Sequence, residues 1–105
     1  MDMKEILEFI KEEHEHQVTK HNVKGDPKTR YTMLAKLMEE VGELSEAILK
    51  TDSLQRNDKL NTEIDLAGEF ADVIFVTLIL SQEMKVDVRD ALDKKLAKIV
   101  KRRKE

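Results

Sequence analysis

The sequence predicts an all-α protein, a four-helix antiparallel bundle that oligomerises through its apolar helices. Three observations lead there. The 105 residues include one Pro and three Gly, so few breakers interrupt a helical chain. Apolar residues recur at three- and four-residue intervals in four separate stretches. One of these, LAGEFADVIFVTLIL at residues 66–80, is apolar nearly all round from Phe70 onward, and a helix of that kind is covered on every side. Four helices of this length can hardly enclose one of their own. The third helix is therefore expected partly at the interface of a homo-oligomer, with dimer and tetramer both open.

The elements follow in order. Met3, Ile6, Leu7, Ile10, His14 and Val18 share one helical face, which predicts a first helix over residues 3–20. HNVKGDPKT breaks the pattern, and Asp26-Pro27 suits the start of a second helix with Pro at its first position. Leu34, Leu37, Met38, Val41, Leu44 and Ile48 form the second stripe, ending near Lys50. The polar run TDSLQRNDKLN reads as a loop. Thr62 followed by Asp65 resembles a capping box with Asp in the acidic place, predicting a third helix over 63–84. Asp87 is a suitable N-cap for the fourth, with Val88, Leu92, Leu96 and Ile99 facing the core. Short connections between four helices favour antiparallel neighbours, in a single domain spanning 1–105.

Composition narrows the function. Charged residues make up 39%, well above the roughly 25% of an ordinary domain. The net charge is −3, which argues against nucleic acid as a partner despite the basic C-terminal run KIVKRRKE. The chain has no Cys, so disulfides and thiolate metal sites are excluded. No run reaches the ~20 apolar residues of a membrane span. The N-terminus lacks the apolar segment of a signal peptide, and a soluble, cytoplasmic protein is expected.

Two acids interrupt the apolar third helix. Glu69 and Asp72 stand three residues apart, so they project to the same side. The second helix, within KLMEEVGELSEAI, carries Glu40 and Glu43 at the same spacing, with Glu39 pointing further toward solvent. An unpaired buried carboxylate neutralises, finds a partner or holds a metal. Four carboxylates converging from adjacent helices repel unless a cation joins them. Oxygen ligands of this hardness suit Mg²⁺, with Mn²⁺ as a substitute. Solvated faces, or pairing with Lys36 and fourth-helix cations, are the plainer alternative. On the fourth helix Lys95, Lys98 and Arg102 follow an i, i+3, i+7 spacing. They make a cationic stripe suited to polyphosphate, or simply cations favoured by the dipole of a C-terminal helix.

KLMEEVGEL followed by EFADVIF resembles the EExxE … ExxD pattern of the MazG-like nucleoside triphosphate pyrophosphohydrolases. Here the pattern is Glu39, Glu40 and Glu43, then Glu69 and Asp72. VDVRDALDKKLAKIVKR, residues 86–102, is similar to that family's last helix, and the resemblance covers roughly residues 30–103. It implies an all-α, oligomeric enzyme that cuts nucleoside triphosphates, NTP or dNTP, to the monophosphate and pyrophosphate with Mg²⁺, as in nucleotide-pool house-cleaning. By position, it implies Glu40, Glu43, Glu69 and Asp72 as metal ligands, and Lys95, Lys98 and Arg102 as phosphate contacts. Lys36 is a further phosphate candidate, and Glu39 or Glu43 is the candidate catalytic base.

The chain departs from the family in three places. Ile99 stands where Asn often follows the family's lysine, there is no Trp to grip a base, and Lys85 replaces a common helix-ending Gly. The base is expected between the first and second helices, near His14, His16, His21 and Asn22. Phosphoribosyl-ATP pyrophosphohydrolase shares the KxxEExxE pattern of Lys36 to Glu43. It usually carries Tyr-His after its acidic segment, where this chain has Phe75-Val76. A non-catalytic helical interaction module is the alternative that needs no metal.

Overall fold

A computed structural model of the chain describes residues 1–56 and 64–105. Those residues form four helices, α1 (Met3–Lys20), α2 (Thr29–Arg56), α3 (Leu66–Glu83) and α4 (Val88–Arg103). The all-α class is as the sequence predicts. No helix among the described residues is long and apolar enough to cross a membrane.

The helix ends show which local rules hold. Asp2 caps α1, its carboxylate accepting from the Glu5 amide at 2.9 Å. Asp87 caps α4 as expected, accepting from the Asp90 amide at 3.0 Å. α3 starts at Leu66 rather than 63, because Asp65 is itself the N-cap and accepts from the Gly68 amide at 2.9 Å. A Cβ at position 68 would meet the Asp65 carboxylate as it stands, so any side chain there would require that carboxylate to shift. Thr62 lies outside the described residues.

α2 differs at both ends from the prediction. Asp26 and Pro27 belong to a turn that precedes the helix, with the Asp26 carboxylate accepting from the Lys28 amide at 2.9 Å. The helix begins two residues after Pro27, where the buried Thr29 hydroxyl donates to the Val23 carbonyl at 3.0 Å. At the other end α2 runs on to Arg56, through residues that read as loop. Thr51 and Ser53 fit inside it because their hydroxyls donate to the carbonyls of Ala47 and Leu49, at 2.8 and 3.1 Å.

α1 and α3 close with the same wrapped turn. The Val23 amide donates back to Val18, and the Val86 amide to Ser81, both at 2.9 Å. Each turn needs a left-handed residue, Asn22 (φ 54°) in one and Lys85 (φ 56°) in the other. Asn tolerates that region, whereas a lysine there is strained. Lys85 thus places a side chain at a turn position where glycine fits best.

α3 is the central element and packs on both α2 and α1. Ile10, Leu78 and Ile79 form the buried centre, flanked by Ile6, Leu7, Met33 and Val88. Phe9 and Phe75 meet edge to face, with ring centroids 6.3 Å apart. Ile10 is 2% exposed. Ile10→Ala leaves a cavity in so small a core and is expected to cost about 3 kcal/mol in urea unfolding at fixed protein concentration.

α4 departs from the expected packing. Among the described residues of α4 only Val88 reaches the core, while Leu92, Leu96, Ile99 and Val100 are exposed. Its apolar face is formed as the periodicity requires, but among the described residues the chain's own core does not cover it. The second face of α3 is likewise open, with Phe70 and Ile74 exposed.

Candidate metal centre

α2 carries KLMEEVGE along one stretch of helix, and α3 lies against it starting from Asp65. This pairing brings Glu40, Glu43 and Glu69 together, each with a carboxylate oxygen within 4.8 Å of the others. Glu40 is buried at 6% exposure, Glu69 is half-buried and Glu43 is exposed. One oxygen of Glu40 and one of Glu69, both Oε2, are buried without a hydrogen-bond partner. A buried carboxylate oxygen left unpartnered is costly, and two of them on members of one cluster fit a cation. Like charge raises the Glu43 carboxyl above the ordinary range, chiefly through Glu40, with Glu69 and Glu39 adding to it. A cleft of about 160 Å³ opens beside the cluster, lined by Glu43, Glu46, Asp65, Glu69 and Lys50 among others.

The other sequence candidates fall in distinct places. Asp72 is exposed, one turn along α3 from Glu69, and stands outside the three-acid cluster. Glu39 is exposed on α2, with Lys36 Nζ 3.7 Å from its Oε2. Lys36 also reaches Glu40, with Nζ 3.2 Å from Oε1. That hydrogen bond, together with the charges of Glu39 and Glu40, holds the ammonium above its usual pKa. Lys95, Lys98 and Arg102 lie on the exposed α4 and enter no ion pair among the described residues. Within one chain they are not gathered with the acids.

A cavity of about 380 Å³ lies between the end of α1, the α1–α2 turn, α2 and α3. Val18, Val23, Met33, Val76 and Ile79 make it largely apolar, and Gln17, Asp26, Thr32 and Lys36 supply polar edges. The histidines are elsewhere. His14 faces Glu83 across α1 and α3, with Nε2 3.2 Å from Oε1, and His16 and His21 are exposed. Sequence reading missed Gln17 and Thr32 as wall residues. Nothing in their spacing marks them, since a cavity depends on how three helices cross.

The family model for the MazG nucleotide pyrophosphohydrolase domain matches residues 28–105. The chain belongs to the MazG family. The matched segment holds every acid of the cluster and all of α4, whereas α1 lies before it. The MazG segment therefore supplies the acids, and α1, outside it, supplies one wall of the cavity. Neither the curated proteins nor the solved structures contain a match to this chain. An acid cluster of this kind in a MazG domain is a set of residues able to hold a divalent metal.

Proposed function

We propose that the protein is a Mg²⁺-dependent nucleoside triphosphate pyrophosphohydrolase, releasing monophosphate and pyrophosphate from NTP or dNTP in nucleotide-pool house-cleaning. One observation carries the reading. Three carboxylates meet in a MazG domain, and two of their buried oxygens have no partner. Glu40, Glu43 and Glu69 hold the metal, with Asp72 the fourth ligand one turn further along α3. Mn²⁺ is the natural substitute, since both ions prefer oxygen donors. The bound ion supplies a Lewis acid at the triphosphate and draws charge from the α-phosphorus.

The chain's own groups do the rest. Water attacks the α-phosphorus, and the bond to the bridging α–β oxygen breaks. Pyrophosphate leaves, its charge met by Lys95, Lys98 and Arg102. The water's proton passes to a carboxylate open to solvent, Glu39 or Glu43. The base lies in the apolar cavity, whose Lys36 edge adjoins the acids.

The working unit is a homo-oligomer, dimer or tetramer. The support is the uncovered apolar face of α4, which lies beside the three cations. Covering that face with a second copy is how those cations reach a triphosphate held at another chain's acids.

The test is product analysis on a panel of NTPs, dNTPs and phosphoribosyl-ATP, with Mg²⁺ and with chelator. Monophosphate plus pyrophosphate, formed only with metal, is the expected result. Orthophosphate would mean that a different bond is cut. Turnover of phosphoribosyl-ATP alone would move the protein to histidine biosynthesis.

A further inference from the structure

Lys36 belongs to two places at once. Its side chain lines the apolar cavity beside Thr32 and Met33. Its ammonium also lies 3.2 Å from Glu40 Oε1 and 3.7 Å from Glu39 Oε2. Among the described residues it is the only cation paired with any member of the three-acid cluster. The Lys36 side chain is 52% exposed, so nothing locks it where it stands. Glu40, by contrast, is buried, and its second oxygen has no partner.

We infer that Lys36 is the resident counter-ion of the metal-free acid cluster, displaced by a divalent cation and thereby released to bind the triphosphate at the cavity's acid end. This inference rests on the metal-dependent reading above and adds an order to it. The ammonium and the metal compete for the same carboxylate charge. Before the metal arrives, Lys36 is engaged with Glu40 and Glu39 and is a poor anion ligand. Once Glu40 is committed to the metal, the same charge lies free on the wall of the nucleotide cavity. Metal loading thus creates part of the phosphate site, and metal binding precedes productive nucleotide binding. Lys36 is a positioning group for substrate, which spares the enzyme from holding nucleotide before it can be cut.

The experiment is Mn²⁺ titration by calorimetry of the full chain, wild type against Lys36→Met and Lys36→Arg. Melting curves check that each variant is folded. Half-exposed ion pairs shift equilibria only a few-fold, so Lys36→Met is expected to bind Mn²⁺ about threefold tighter than wild type. Lys36→Arg, which keeps the competing charge, is expected to stay near wild type. With saturating metal, KM for the best triphosphate of the panel should rise about tenfold in Lys36→Met, with a smaller change in kcat. A lysine serving only the fold would not tighten metal binding, and a plain phosphate ligand would raise KM with Mn²⁺ affinity unchanged. Equal or weaker Mn²⁺ binding by Lys36→Met, with normal binding by wild type, overturns the inference and leaves the metal reading standing. Failure of wild type to bind Mn²⁺ removes the metal reading itself.

Discussion

Glu40→Gln is expected to abolish the Mg²⁺-dependent rise in melting temperature and to lower triphosphate turnover by at least about a hundredfold. Glu40 is the most buried member of the cluster, so it sets the position around which Glu43 and Glu69 gather. The substitution keeps shape and volume and removes one negative charge and one oxygen donor. Loss even of groups that only orient metal ligands costs roughly 10–100-fold in affinity or activity, and a ligand should cost more. Stability is expected to move the other way when metal is withheld. In chelator the Gln amide can donate to the neighbouring carboxylates, and the repulsion that raises Glu43 is relieved. The variant should then melt above wild type. In saturating Mg²⁺ the order reverses, since wild type gains about 2.7 kcal/mol at a hundredfold excess over Kd. Melting curves with and without metal would show the crossing. A Glu40→Gln protein that kept its Mg²⁺ response would remove Glu40 from the ligand set.

The sequence reveals the four helices and the Asp87 cap because each depends on residues close together in the chain. Asp87 acts three residues away, and Ile10 and Val18 fall on a stripe that any helical wheel displays, whereas the Asp2 cap went unread and Asp65, read as the acid of a capping box, is itself the cap. The extra turns of α2 were hidden because Thr51 and Ser53 look like loop residues until their hydroxyls are seen bonded to the preceding turn. The acids were half legible. The i, i+3 spacing fixes which side of each helix they share, but not which of them meet across α2 and α3. That depends on the crossing of the two helices, which gathers Glu40, Glu43 and Glu69 and leaves Asp72 one turn on. The cavity was illegible for the same reason. On α4 the periodicity correctly gave an apolar face, but it cannot say whose core that face meets. Leu92 and Leu96 read the same whether their partner is this chain or another.

That ambiguity on α4 supplies the second large effect. Leu96→Glu together with Ile99→Glu is expected to dissociate the proposed oligomer and remove turnover while each chain keeps its helical content. Both side chains are already exposed within the chain, at 61% and 38%, so charge there costs the monomer little. At an interface each buried side chain of this size contributes about 1.5–3 kcal/mol. In a twofold interface every substitution counts twice, so association should weaken by several orders of magnitude, which light scattering would read as loss of mass. Replacing Lys95, Lys98 and Arg102 with Ala should have a different outcome, leaving the oligomer intact and turnover lost. Mixing that triple variant with Glu40→Gln then separates two arrangements. If α4 serves the acids of another copy, each mixed dimer has one complete site. Random pairing then restores about a quarter of wild-type activity. If α4 serves its own chain, every site in the mixture lacks either its acid or its cations, and no activity returns. Recovery is the expected result, because among the described residues α4 makes no extended contact with α2 in its own chain and its apolar face stays exposed.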